Sequence, residues 1–405
     1  MNPSAVSDRV PDAIPVFDYF DADHQGAGRY RFLGELREAE VPLAVDQFGR
    51  INLLRHDDVR GAFVDNDRYR SVEAAVAEAM AGGEGPLVDW QRNTLINMNP
   101  PRHTRLRNAV RPLNARLARR LEPTIRAQCH RLIDAFPDNG EVDFSTEFAF
   151  KLPVAVIMAL LHLPAEDEDR IAQWSPKTLP VGPYSVPEAN WANREFRSYV
   201  EALVDDRRRH PVDEDVVTDL IALQDRGELS HDELWGTIQT LVLAGHETTS
   251  GALETGLHAL LERPERWQRI RADPALIANA AEEILRWDAP VDVMPRILAE
   301  DTVLQGVPLA AGSMINLNIA SANHDPRVFT DPDAFDPARP NANRHLTFGV
   351  GIHRCVGAPL AQVELPIALE VLCERLSALE VVEVPRYAFG FFRHFTALRV
   401  AVRKQ

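Results

Sequence analysis

Phe348-Gly349-Val350-Gly351-Ile352-His353-Arg354-Cys355-Val356-Gly357-Ala358-Pro359-Leu360-Ala361 sets three glycines around a single thiol. Gly349, Gly351 and Gly357 can take positive φ and let main-chain amides turn toward one point, where Cys355 is the one strong nucleophile. Pro359 suits the first turn of a helix. Apolar residues recur at helical spacing through Leu365, Leu369, Leu372 and Leu376, so a helix is expected over residues 360–379. Cys355 then sits just ahead of a helix N-terminus, where free N–H groups and the helix dipole favour the thiolate, the form that ligates a metal.

A lone cysteine is more often a small buried hydrophobe than a ligand. One thiolate cannot make a structural zinc site, which needs four nitrogen or sulfur ligands. It suffices as the axial ligand of a haem iron, because the porphyrin fills the plane. The stretch resembles the cysteine-ligand loop of the cytochromes P450, whose pattern F-G-x-G-x-[HR]-x-C-x-G-x-x-L-A it matches at every fixed position. The resemblance implies haem b with Cys355 as its metal ligand, Phe348, Gly349, His353 and Gly357 against the cofactor, and dioxygen as co-substrate.

The 405-residue chain carries 44 Lys and Arg against 60 Asp and Glu, a formal charge of −16, which argues against a nucleic-acid binder. Its three cysteines, Cys129, Cys355 and Cys373, imply no disulfide framework and point to a reducing cytoplasm. Residues 1–20 lack the apolar core of a signal peptide. The longest apolar run, residues 154–161, is short of the ~20 residues a membrane helix needs. A cytoplasmic protein without membrane attachment is expected.

After a loosely packed N-terminal arm (residues 1–25), a short helix is expected at 30–39 and a β-hairpin at 41–54. Residues 70–99, Ala/Gly-rich and then irregular, read as a mobile loop over a site. Helical periodicity then dominates at 102–117, 118–136, 144–163, 165–174, 187–209 and 216–224, with a long helix from Ser230 to about residue 262. After Arg286, short β-like pieces at 303–304, 307–309 and 314–317 sit among Asp-Pro turns. With no repeat or linker, the reading is one domain over residues 1–405, mainly α with a small β-rich lobe. On the resemblance it is the cytochrome P450 fold, with haem between the long central helix and the helix following the Cys loop.

Ser230-His231-Asp232-Glu233 places Ser at a helix cap and Glu three residues on, a capping box. The apolar stripe of that long helix is interrupted by Ala244-Gly245-His246-Glu247-Thr248-Thr249. Mid-helix Gly costs about 1 kcal/mol against Ala, and Thr can bond back to the carbonyl four residues earlier, so a bulge or kink is expected here. Close packing on a neighbouring helix is the alternative. The turn resembles the oxygen-binding groove of the same family, [AG]-G-x-[DE]-T-[TS]. That implies cofactor contacts from Ala244 and Gly245. It also implies catalytic roles for Thr248, bonding dioxygen or a nearby water, and for Glu247, relaying protons from solvent.

Glu283 and Arg286 are three apart on a helix starting near Ala275 and share a face, a spacing that alone is common on solvated surfaces. The family's E-x-x-R is a buried structural ion pair, and the resemblance makes Arg339, in Phe335-Asp336-Pro337-Ala338-Arg339, its third member rather than Arg344. His103 and Arg107 resemble the family's H-T-x-x-R clamp on haem propionates, with Arg296 and His353 at the other propionate positions. Arg102, Arg105, Arg107, Arg111, Arg116, Arg119 and Arg120 form a basic stripe with no acid among them. Its charges either face acids elsewhere or, as the resemblance implies, dock an acidic electron donor such as a ferredoxin. The resemblance also implies a substrate pocket drawn from residues 70–99, 179–185, 243–244, 291–294 and the tip near 391. Its apolar residues, Trp90, Leu95, Leu243, Val291, Met294, Phe391 and Phe392, would serve equally as core.

The implied activity is a haem-thiolate monooxygenase that hydroxylates or epoxidises a largely apolar small molecule, a secondary metabolite or xenobiotic. It would use O2 and two electrons from separate redox proteins. No Gly-rich nucleotide fingerprint follows a strand, so no fused flavin or NAD(P) site is expected. Two alternatives stand beside it: a haem-thiolate enzyme of another reaction type, oxidative coupling or peroxide-driven oxidation, and a non-enzymatic haem sensor, for which Glu247-Thr248 would have no use.

Overall fold

The computed structural model describes residues 14–18, 21, 26, 28–111, 113, 115–180, 184–388 and 390–405. In chain order they form β1 (Val16–Phe17), α1 (Arg29–Arg37), β2 (Leu43–Asp46), β3 (Ile51–Leu53), α2 (His56–Val64), β4 (Tyr69–Arg70), α3 (Ala75–Ala81) and α4 (Pro86–Arg92). Next come α5 (Arg102–Ala109), α6 (Ala115–Arg120), α7 (Glu122–Asp134), β5 (Asn139–Asp143), α8 (Lys151–Leu160), α9 (Glu168–Trp174), α10 (Val186–Arg209), α11 (Val216–Asp225) and α12 (His231–Leu261). The remainder is α13 (Pro264–Ala272), α14 (Ile277–Trp287), β6 (Val293–Leu298), β7 (Thr302–Leu304), β8 (Val307–Leu309), β9 (Met314–Asn318), α15 (Ile319–Ala322), α16 (Ala358–Arg375), β10 (Leu376–Val381) and β11 (Arg399–Lys404). The chain is thus mainly α with short strands.

Caps set the long helices. The Ser230 hydroxyl accepts from the Glu233 N–H at 3.1 Å and the Glu233 carboxylate accepts from the Ser230 N–H at 3.0 Å, which starts the 31-residue α12. Ser185 and Glu188 make a second capping box at α10, and Asp215 caps α11. The bulge expected at residues 244–249 does not form: α12 is α-helical throughout. Close packing is what the glycine serves there, since a Cβ on Gly245 would lie 2.7 Å from Ile157 Cδ1 of α8.

Other expectations shift as well. Residues 70–99 hold α3, α4 and a 3-10 turn, Leu95–Asn97, rather than a bare loop. The helix expected over 102–117 ends at Ala109, and α6 is separate. The helix after the cysteine loop stops at Arg375, because Leu376 turns extended and pairs with Lys404.

The chain divides into two compact units, one of Met1–Val72, Ala278–Cys355 and Phe391–Arg393, the other of Glu73–Ile277, Val356–Gly390 and His394–Gln405. In the first, a six-stranded mixed sheet runs β1-β2-β3-β9-β6-β4, with the expected hairpin as β2 and β3 and with Ile51 in parallel register with Ile315. Leu43, Ile51, Leu53, Ile315 and Leu317 pack there with Val59 and Phe63 of α2. Of the arm expected at residues 1–25, Ile14 and Phe17 are buried and β1 pairs with β2, whereas most of the arm lies outside the described residues. In the second unit α12 is enclosed by α8, α10, α11 and α16, and an antiparallel sheet runs β10-β11-β5. Among the described residues no helix is long and apolar enough to cross a membrane.

Candidate active site

Residues 348–355 of the cysteine loop belong to the first unit and residues 356–361 to the second. Gly349 and Gly351 both take left-handed backbone, φ 60° and 76°, and a Cβ on Gly351 would lie 2.7 Å from the Phe63 carbonyl oxygen. The Cys355 N–H donates to the Phe348 carbonyl at 2.8 Å, closing the loop, and Gly357 caps α16 three residues before Leu360. Cys355 is exposed, whereas Cys129 is buried and Cys373 half-buried. Burial pushes the Cys373 thiol up to about 12 and raises Cys129 as well, so neither offers a thiolate near neutral pH.

The segment entering the loop is clamped by neutral groups. Asn323 Oδ1 accepts from the Leu346 N–H at 2.7 Å, its Nδ2 donates to Thr347 Oγ1 at 2.9 Å, and Thr347 Oγ1 donates to the Leu285 carbonyl at 2.6 Å. Nothing in the sequence marks Asn323, whose partners, the Leu346 N–H and the Thr347 hydroxyl, lie more than twenty residues further along the chain. His353 Nε2 lies 3.1 Å from Ser71 Oγ, and the Phe348 ring lies 5.5 Å from that of His345.

Arg296 on β6 is 2% exposed. Its guanidinium lies over the Phe63 ring at 5.7 Å and donates to its neighbour's carbonyl, Pro295, at 2.8 Å. Among the described residues no carboxylate pairs with it, and burial alone pulls its pKa down to about 10. A buried cation without a counter-charge is costly, and this one abuts the same phenylalanine as the cysteine loop.

Glu283 in the same unit is fully buried and takes a bidentate pair from Arg286, at 2.7 and 2.8 Å, plus the Arg339 Nε at 3.0 Å. Both arginines also donate to carbonyls of the turn-rich segment, Arg286 to Asn323 and Pro332, Arg339 to Thr330 and Ala334. Arg344 stands elsewhere, its carbonyl against His56 Nε2. Val291 bridges Phe392, whose ring meets Phe391 edge-on at 5.1 Å, and Met294 packs on the sheet core.

The second unit carries the α12 turn. Thr248 Oγ1 donates to the Ala244 carbonyl at 3.2 Å, while Ala244 is exposed and Gly245, Glu247 and Thr248 are half-buried. Burial works against the Glu247 charge, but the neighbouring His246 and also His394 outweigh it and hold the carboxyl below its ordinary range. His246, which the motif leaves unspecified, places Nε2 3.4 Å from Glu247 Oε1.

On α5, His103 is buried and Arg107 half-buried, whereas Arg102 and Arg105 turn out. Those two grip Glu233, Arg102 Nε at 2.8 Å and Arg105 Nη2 at 2.6 Å. Burial would raise that carboxyl, but the two guanidiniums and its capping bonds bring it down to about 2. Arg120 pairs with Glu214. At least three of the seven arginines of the basic stripe therefore face acids from elsewhere, and the stripe lies on two helices and a turn rather than one face. Trp90 and Leu243 are buried in one core cluster with Leu95 packed on it, and the Trp90 indole N–H donates to Thr240 Oγ1 at 3.1 Å. The turn expected at 179–185 lies partly outside the described residues.

The cytochrome P450 family model matches residues 188–386. Mycinamicin IV hydroxylase/epoxidase of Micromonospora griseorubida is 36% identical over 364 residues, 88% of this chain and 89% of that protein. 6-Deoxyerythronolide B hydroxylase of Saccharopolyspora erythraea is 33% identical over 364 residues, 87% and 89%. The structure of CxnD, a cytochrome P450 enzyme for C–S bond formation in chuangxinmycin biosynthesis, matches with a TM-score of 0.88 at 31% identity, covering 97% of this chain and 98% of that one. Haem with a cysteine thiolate, and dioxygen, go with that family. The donor set here fits such a group, with an exposed thiol and a buried guanidinium that meets no carboxylate among the described residues. On sequence identity and fold together, the chain belongs to the cytochrome P450 family and is an enzyme of its monooxygenase kind.

Proposed function

We propose that the chain inserts one oxygen atom of O2 into a largely apolar small molecule, by hydroxylation or epoxidation, using electrons from separate redox proteins and acting as one catalytic domain. The observation that carries the cofactor assignment is Arg296, a buried guanidinium with no carboxylate partner among the described residues, beside a loop that exposes a thiol. Cys355 would hold the iron. Arg296, His353, His103 and Arg107 would bind the propionates, and Phe348, Gly349, Gly357, Ala244 and Gly245 would bound the macrocycle. When bound, haem would supply the iron at which dioxygen, two electrons and two protons give one transferable oxygen atom and one water.

The rest falls to side chains. Thr248, whose hydroxyl now donates to Ala244, would turn that proton toward the site, and Glu247 would reload it from solvent. Trp90, Leu243, Val291, Met294 and Phe391 would present apolar surface to the substrate, which suits relatives named for mycinamicin IV and 6-deoxyerythronolide B. Arg102, Arg105, Arg111, Arg116, Arg119 and Arg120 would attract an acidic donor of the ferredoxin type. Glu283, Arg286 and Arg339 would serve structure.

The test is turnover under labelled dioxygen with reduced ferredoxin and a substrate found by displacement of iron-bound water. One labelled atom in the product, together with a several-fold rise in peroxide per electron for Thr248→Ala, is expected. Turnover with peroxide but not with ferredoxin contradicts the reading. Product without label favours oxidative bond formation, a second reading that the similarity to CxnD supports.

A further inference from the structure

His246 stands at the unassigned position of the α12 motif, and the proton route above does not use it. Its side chain is fully buried although Ala244 beside it on α12 is exposed. Nδ1 lies 2.8 Å from the Val242 carbonyl. A carbonyl only accepts, so Nδ1 carries the ring's proton. Phe150 meets the imidazole edge-on at 5.5 Å and fixes its plane. The other nitrogen, Nε2, faces Glu247 Oε1 at 3.4 Å, and among the described residues neither atom has another hydrogen-bond partner. With Nδ1 already protonated, only one extra proton can join these two atoms. It rides either as imidazolium against carboxylate or as imidazole against carboxylic acid.

We propose that His246 and Glu247 form a dyad that stores one proton next to Thr248, with His246 as the residue that positions and charges Glu247. The inference rests on the proton-relay reading of Glu247 and Thr248. In delivery the bond between the stored proton and the dyad breaks and one forms to an acceptor on the Thr248 side, leaving neutral imidazole and carboxylate. A proton from solvent restores the pair, and no electron moves. A glutamate by itself, holding a proton only in acid, would stand empty at neutral pH.

The surrounding elements offer few rivals. His394 adds a weaker pull on Glu247, and the Tyr184 phenol is pushed up by burial and then by the Glu247 charge. The one charged residue of α8, Lys151, pairs with Glu147 of the turn before it at 2.7 Å. Glu254 on α12 and Glu364 on α16 are kept protonated near neutral pH by burial.

The experiment follows peroxide released per electron from pH 5.5 to 8.5 in the holoenzyme, for wild type, His246→Gln, Glu247→Gln and the double variant. It also follows 15N-histidine spectra of the reduced carbon-monoxide complex. Wild type should stay coupled from pH 5.5 through neutral pH and leak only toward pH 8.5, as the dyad loses its proton. His246→Gln should leak several-fold more peroxide at pH 8 and recover toward pH 5.5. Glu247→Gln should leak at every pH, with His246→Gln adding nothing to it. The imidazole signal missing in His246→Gln should move with pH in wild type and stop moving in Glu247→Gln. A pH-independent defect in His246→Gln, or a signal indifferent to Glu247→Gln, overturns the dyad while the relay stands. A fully coupled Glu247→Gln overturns the relay and the dyad with it.

Discussion

Arg296 bears a charge that the described part of the protein does not neutralise, and that makes two measurements move in opposite directions. Replacing it by Met removes an uncompensated buried cation, so haem-free protein should melt at least as high as wild type. If Arg296 binds a propionate as proposed, the same change would delete a charge-assisted bond and cost about 1.5–3 kcal/mol of haem affinity. Haem transfer to an acceptor protein and melting of the apoprotein read these separately, and weaker haem binding with a lower apoprotein melting point would instead mark Arg296 as structural. Cys355, Glu247 and Thr248 stand out in the sequence because a motif of fixed spacing holds each, and Arg296 only through the family resemblance; the roles of all four stand as proposals. Arg339 was chosen over Arg344 on pattern alone, and the buried Glu283 is where the two now separate. His246 and Asn323 were not legible. Their roles depend on a ring tautomer set by a carbonyl and on backbone groups distant in sequence, which leave no trace in composition or period.

Helix α12 shows which properties of an element a sequence carries. Its start was readable from Ser230 and Glu233, since a capping box is local chemistry, and its length from a helical run that persists to about residue 262. Its continuous α-helical run through the motif was not, because whether Gly245 bulges the helix or admits Ile157 depends on what lies alongside. The same limit explains α16, whose helical period runs on into residues that pair with β11 instead, and residues 70–99, where short helices carry too few turns for a period to show. Two turns beyond the motif, Glu254 accepts from the Phe395 N–H at 2.8 Å, and burial raises its pKa to about 8. Its folded pKa lies above the unfolded value, so the folded chain holds a proton that the unfolded chain releases between about pH 4.5 and 8. Stability contributed by this group is therefore present in acid and lost as pH rises through that window. Glu254→Gln should keep the bond to Phe395 and abolish the loss. Its gain in melting temperature over wild type should grow from pH 5 to 8, and a gain that is flat with pH would show that Glu254 ionises normally.

At the scale of the whole chain, the order of motifs was readable from end to end, because each is a few residues long and the chemistry of one cofactor links them. The division into two units was not, since it turns on pairings such as Tyr69 with Leu298 and on Ala278–Cys355 joining the N-terminal residues rather than the helices before them. The charge of −16 was readable, but its local partition was not: Arg102 and Arg105 belong to the α12 cap through Glu233 as much as to any docking face. All of the proposed chemistry requires one sulfur atom on iron. The most direct measurement is the absorption spectrum of the reduced, carbon-monoxide-bound holoenzyme for wild type and for single Ala variants of Cys129, Cys355 and Cys373. The red-shifted band of thiolate ligation should persist in wild type and in the Cys129 and Cys373 variants and vanish in Cys355→Ala. The same band in Cys355→Ala, or its absence from wild type loaded with haem, would contradict the assignment.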